Sequence, residues 1–240
     1  MGANKNVEIK IVKDANEGGK EAFKIIEEAL ENGLKVIGLP TGATPESMYA
    51  EMRASDYDFS DIVAINLDEY VGLEFDHPQS YHYYMDEQLF NHKTFKEAHI
   101  PNGLAPAEEE KRRYNEVLVH NPIDLQILGI GTNGHVGFNE PGTSFDSLTV
   151  KVELTEETIE ANKRYFDNAE DVPKTAYSMG LASIMSADKI VLLAYGDSKA
   201  DAIAKAVNGP VTEDVPSSIL QTHDNVVFIL DEAAASKLEK

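Results

Sequence analysis

Apolar and polar positions change period along this chain in a regular way. VEIKIV (7–12) alternates, as a half-buried strand does. From 14 to 32 the period lengthens to that of a helix. Ala22, Phe23, Ile26, Ala29 and Leu30 share one face, Asp14 stands where an N-cap is wanted, and Asn32-Gly33 stops the run. LKVIGL (34–39) is almost wholly apolar, and PTGATPESM turns out of it into a second helix. DIVAINL (61–67) predicts a strand ending at Asp68, and helical spacing returns at 80–91 and 106–119. IDLQILGIG (123–131) predicts a buried strand and LTVKVEL (148–154) an alternating one. A helix over 155–166, a loop at FDNAEDVPK and a short helix near 180–186 follow. KIVLLAY (189–195), a helix from Ser198 to Val207 and the strand NVVFIL (225–230) complete the series.

Strands alternating with helices predict an α/β fold: a doubly wound, mostly parallel sheet with helices on both faces. No repeat, low-complexity run or linker interrupts the series, so residues 1–240 are expected to form a single domain.

Composition narrows the chemistry. There is no cysteine, which removes disulfides, zinc-thiolate sites and a thiol nucleophile. Lys and Arg number 21 against 42 Asp and Glu, a net charge of −21. Such a surface repels nucleic acid and acidic membranes. Any anionic ligand must therefore find a local positive exception. The N-terminus lacks an apolar signal segment, and Asn6 is not the Ser or Thr that myristoylation of Gly2 would want. No apolar run approaches about 18 residues. The cytoplasm is the expected location.

In open α/β sheets ligands sit beyond the carboxyl ends of strands, so those ends hold the candidate chemistry. LPTGATPES offers free backbone N–H groups at a helix start, with Thr41 and Thr44 adding hydroxyls and Gly42 permitting close approach. It reads either as a phosphate cradle or as a plain capped turn, and it is not a P-loop. INLDEYVGL puts Asp68 and Glu69 just past a strand, as a general base or as a cap. GIGTNG (129–134) formally matches a dinucleotide fingerprint, but Gly137, Pro141 and Gly142 oppose the helix that motif requires. A loop presenting His135 and Glu140 is the better reading, since a carboxylate can fix the tautomer of a proton-shuttling histidine; a histidine satisfied by backbone is the bland one. Lys199 opens a helix, where the dipole disfavours a cation unless an anion binds nearby. No HExxH, EF-hand loop or GxSxG occurs, so no metal is expected and a serine hydrolase is poorly supported.

Taken together, LPTGATP, LDEYVGL, HPQSYHYYM, GIGTNGHVGFNEPG, ANKRYFDN, VPKTAYSMG and GDSKADAI resemble the glucosamine-6-phosphate deaminase (isomerase) family, from about residue 39 to 205. The resemblance implies a Rossmann-like fold and a cofactor-free reaction of amino-sugar catabolism. D-glucosamine 6-phosphate and water become D-fructose 6-phosphate and ammonia. Because water is consumed, a hydrolase is expected. By this resemblance Asp68 moves the proton between C2 and C1, His135 assists ring opening and Glu140 partners His135. Thr41, Gly42, Ala43, Thr44, Lys199 and Arg164 hold the phosphate, with Glu69, Gly131, Asn133 and Gly134 also in the substrate site. Two positions depart from the family pattern. Asn133 replaces an aspartate and so has no proton chemistry. Ala43 replaces a second glycine, which is tolerable unless φ there is positive.

The rivals are a 6-phosphogluconolactonase-like hydrolase, which would not need a base at C2, and a sugar-phosphate-sensing module, for which no helix-turn-helix precedes the first strand. Allosteric hexamers of the family hold an activator phosphate with basic residues after the NEP motif. Here those positions fall on Val150 and Val152, with Lys151 facing the other way. The chain also ends soon after its last predicted strand. A monomer with hyperbolic kinetics, binding a small amino-sugar phosphate, is therefore expected.

Overall fold

The computed structural model describes residues 7–239; Gly2 and Asn6 lie outside them. In chain order the elements begin β1 (Val7–Val12), α1 (Ala15–Glu31), β2 (Val36–Leu39), α2 (Glu46–Ala54), β3 (Val63–Asn66), β4 (Asp68–Tyr70) and α3 (Tyr81–Met85). They continue with a π-helical turn (Asp86–Phe90), β5 (Glu97–His99), α4 (Ala107–His120), β6 (Leu125–Leu128), β7 (Val150–Glu153) and α5 (Glu156–Asn162). The last are β8 (Thr175–Ser178), α6 (Leu181–Met185), β9 (Lys189–Ala194), α7 (Ala200–Asn208) and β10 (Val226–Asp231).

A seven-stranded sheet runs in the order β1-β10-β9-β6-β2-β3-β5 with every pairing parallel. Alternation along its strands sends side chains to opposite faces. Ile190, Leu192, Val226 and Phe228 pack with Tyr114, Ile184 and Ile203 of α4, α6 and α7. Val191, Leu193, Val227 and Ile229 pack with Ile26, Met52 and Met85 of α1, α2 and α3. The helices thus cover both faces, as the alternating pattern predicts. Asp14 caps α1, its carboxylate accepting the Glu17 N–H at 2.9 Å, a contact worth about 1 kcal/mol.

The departure is a second sheet, three-stranded and antiparallel, in the order β4-β8-β7. Asp68 does not end β3 but opens β4, and β7 pairs here rather than in the parallel sheet. Along β7, Val150 and Val152 are half-buried and Lys151 exposed, so the lysine does face away from the valines. Strands β4, β5 and β8 escape sequence reading because DEY, EAH and TAYS are short and lie in neither an apolar run nor an alternating one; their pairing comes from tertiary neighbours.

Candidate active site

Strands β2 and β6 are neighbours in the parallel sheet, yet the chain leaves them toward opposite sides. This is the topological switch point at which open α/β sheets bind ligands. A cleft of about 410 Å³ opens there, lined by Thr41, Gly42 and Thr44 after β2, by Gly131, Thr132, His135 and Phe138 after β6, and by Asp68, Tyr81 and Lys199.

One side of the cleft is built from turns. Gly42 takes φ 94°, a conformation that favours glycine, whereas among the described residues none other than glycine has positive φ, so Ala43 is unstrained. Lys199 stands at the N-cap of α7 and donates from Nζ to the Ile130 carbonyl at 2.5 Å. Burial lowers its pKa. No carboxylate pairs with it among the described residues, so its charge is available to an anion in the cleft.

The other side differs. Asp68 is 6% exposed, and among the described residues no donor bonds its carboxylate. Burial, and after it the adjacent Glu69, push its pKa up to about 8. A desolvated carboxylate without donors is a strong base for its type.

Facing the same cleft, His135 belongs to a relay of three side chains. Its Nδ1 lies 2.7 Å from Asn133 Oδ1, and Asn133 Nδ2 donates to Glu140 Oε2 at 2.7 Å. The carboxylate can only accept, so it fixes the amide; the amide oxygen then fixes the imidazole as the Nδ1–H tautomer. Nε2 is left bare as a proton acceptor. Glu140 itself is 3.7 Å from Nδ1. The expected His135–Glu140 partnership therefore runs chiefly through Asn133. Burial lowers the His135 pKa, Glu140 opposes this, and Lys199 adds to it, so the ring is neutral near pH 7. Gly131 is required for this placement: a Cβ there would meet the His135 ring at 1.9 Å.

Five of the expected substrate contacts do not line the cleft. Strand alternation turns Glu69 away from the cleft that Asp68 faces; it is 2% exposed and accepts the N–H groups of Tyr70, Tyr81 and His82 at 2.8, 2.9 and 2.9 Å. Arg164 lies on an exposed turn after α5, its guanidinium 4.7 Å from the Tyr165 ring, outside the cleft. Ala43, exposed at the tip of the phosphate turn, does not line the cleft either. Gly134 and Asn133 shape the loop behind His135 rather than the cleft wall.

Several contributors were not singled out from sequence. Tyr81 and Phe138 stack at 6.1 Å to form an aromatic wall. Ser178 Oγ accepts the Phe138 N–H at 3.1 Å, tying the histidine loop to β8. Glu213 holds the far end of that loop through Gly142 and Phe145. The aromatic run SYHYYM was a visible signal; nothing local marks Ser178 or Glu213, whose roles come from chain segments distant in sequence.

A larger groove of about 790 Å³ lies between residues 71–79 and 165–174, but Glu74, Asp167, Glu170 and Asp171 line it. Four carboxylates against one lysine and one histidine make it a poor place for a phosphate.

Comparison with known proteins agrees with this geometry. Residues 14–229 match the family described as glucosamine-6-phosphate isomerases/6-phosphogluconolactonase. The glucosamine-6-phosphate deaminase of Lacticaseibacillus paracasei is 56% identical over 235 residues, spanning 98% of this chain and 100% of that one. The Streptococcus gordonii deaminase is 58% identical over 229 residues, spanning 95% and 97%. The solved structure of a monomeric glucosamine-6-phosphate deaminase superposes with TM-score 0.90 at 41% identity, covering 96% of this chain and 99% of that one. The 6-phosphogluconolactonase of Trypanosoma brucei superposes with TM-score 0.80 at 18% identity over 97% and 98%, a likeness of fold alone. These names correct one expectation: the similar proteins are named as deaminases, not as hydrolases. With nearly its whole length matched, the chain belongs to the glucosamine-6-phosphate isomerase/6-phosphogluconolactonase family.

Proposed function

We propose that this protein converts D-glucosamine 6-phosphate and water to D-fructose 6-phosphate and ammonia, as a monomer in the cytoplasm. The observation that carries the reading is Asp68: a buried carboxylate without donors, facing the cleft that His135 and Lys199 also line. A lactonase would have no use for a base at C2. A sensor would have no use for two proton-transfer groups facing one ligand.

The steps follow from the placement. The phosphate lies against the turn of Thr41, Gly42 and Thr44 and against Lys199. His135 Nε2 takes the proton of the anomeric hydroxyl and returns it to the ring oxygen, opening the ring. Asp68 then removes the C2 proton, leaving an enolamine, and delivers a proton to C1. The resulting C2 imine adds water and expels ammonia, giving the ketose. Tyr81 and Phe138 offer apolar faces to the carbon chain.

The test is direct. Incubation with glucosamine 6-phosphate is expected to release ammonia and fructose 6-phosphate in equal amounts, with proton exchange at C2. Hydrolysis of 6-phosphogluconolactone without ammonia release from the amino sugar would select the rival instead.

A further inference from the structure

The side chain adjacent to the base is the least explained group near the cleft. Glu69 is buried, carries a carboxylate and touches no part of the cavity. Oε1 accepts the N–H groups of Tyr70 and Tyr81, and Oε2 that of His82. These donors belong to two consecutive elements, β4 and the start of α3. Serine 80 already caps α3 by accepting the Tyr83 N–H, so Glu69 supplies a second, cross-element cap.

We propose that Glu69 is a positioning residue: its carboxylate clamps the start of α3 onto β4 and thereby fixes Tyr81 relative to Asp68, both of which line the cleft. The inference rests on the reading of Asp68 as the C2 base. Tyr81 lines the cleft, stacks on Phe138 and bonds Tyr70 through the hydroxyls at 3.3 Å. A carboxylate with three N–H donors is held more rigidly than a side chain reaching for a ligand. Its charge has a second consequence. The titratable groups around Asp68 are Glu69 and Tyr70 on β4, Tyr81 on α3, Tyr114 on α4, and His135 and Lys199 across the cleft. The phenols are neutral near pH 7. Of the nearby charges, that of Glu69 raises the proton affinity of Asp68.

The test is the steady-state kinetics of Glu69→Gln and Glu69→Asp across pH, with circular dichroism to establish folding. Glu69→Gln loses the charge and one acceptor. Its kcat is expected to fall about tenfold, with KM within about twofold, and the acid limb of kcat/KM to move down by roughly half to one pH unit. Glu69→Asp keeps the charge but withdraws it by one methylene, so kcat should fall while the limb stays in place. A raised KM with kcat intact in Glu69→Gln would make Glu69 a substrate ligand and overturn the proposal, as would an unmoved limb with wild-type kcat. If Glu69→Gln does not fold, Glu69→Asp decides: wild-type kcat there refutes the clamp. Absence of ammonia release from the wild-type chain would instead refute the underlying reading.

Discussion

The two sides of the cleft are built on opposite principles. One is made of turns at the ends of parallel strands, rich in hydroxyls and backbone donors and carrying the cation Lys199. The other rests on the short antiparallel sheet and offers a carboxylate without donors beside two aromatic rings. A phosphate is bound alike in ground and transition states, so donors to it lower KM without raising kcat. A carbon acid needs a base that is poorly solvated before the proton arrives. On the function proposed above, one side binds and the other reacts, and that division can be broken at named residues.

The largest effect is expected at Asp68. Asp68→Asn keeps the shape and removes the base, so kcat should fall by ~10²–10⁴ with KM little changed. The same change should stabilise the fold. A carboxylate whose folded pKa is raised to about 8 from 3.8 costs stability increasingly as pH rises between those values, and the full cost is reached above about 8. Asp68→Asn should therefore melt above wild type by more at pH 8.5 than at pH 5.5. Equal melting temperatures at both, or an active variant, would remove Asp68 from the reacting side.

The wild-type pH profile comes next. Since kcat/KM reports the free protein, its acid limb should inflect near the Asp68 value of about 8, losing about tenfold for each unit below it. An inflection near pH 4 would mean an ordinary, solvated carboxylate.

On the binding side, Lys199→Ala should raise KM and leave kcat nearly intact. A charge-assisted hydrogen bond is worth ~1.5–3 kcal/mol, or roughly ten- to a hundredfold in KM. A loss in kcat alone would place Lys199 with the reacting groups and blur the division.

The binding side was the more legible of the two in the sequence. PTGATP and GDSKA follow the apolar runs LKVIGL and IVLLAY, so their position at strand ends is legible from composition along the chain. The parallel sheet and its two helical layers were legible for the same reason. The reacting side was legible in its residues but not in its architecture. Asp68 was recognised beside a strand end, yet the strand it opens has three residues, and its partner β8 bears no alternation to betray it. The resemblance places Glu69 with the substrate, and two adjacent acids look alike in a sequence. Only strand alternation in the folded chain separates the one facing the cleft from the one capping α3. Arg164 was placed with the phosphate by resemblance, while its exposed turn sets it apart.

The smallest expected effect concerns the relay behind His135. Its middle member is an amide, which accepts from the imidazole at one end and donates to Glu140 at the other. In Asn133→Asp the donor is lost. Two carboxylates then face each other where a 2.7 Å hydrogen bond stood, and one of them must take up a proton or turn away. The negative charge placed against Nδ1 also raises the His135 pKa, opposing the burial that keeps the ring neutral. A protonated ring cannot accept the anomeric proton, so the loss should appear at low pH and fade as pH rises. Ring opening should slow by about threefold to tenfold near pH 7, the scale of one weakened hydrogen bond. A substrate already open should be spared, because it bypasses the histidine. Rates for closed-ring and open-chain substrates, compared at pH 6.5 and 8.5, measure this directly. Equal losses on both substrates would show that Asn133 shapes the cleft instead of orienting His135.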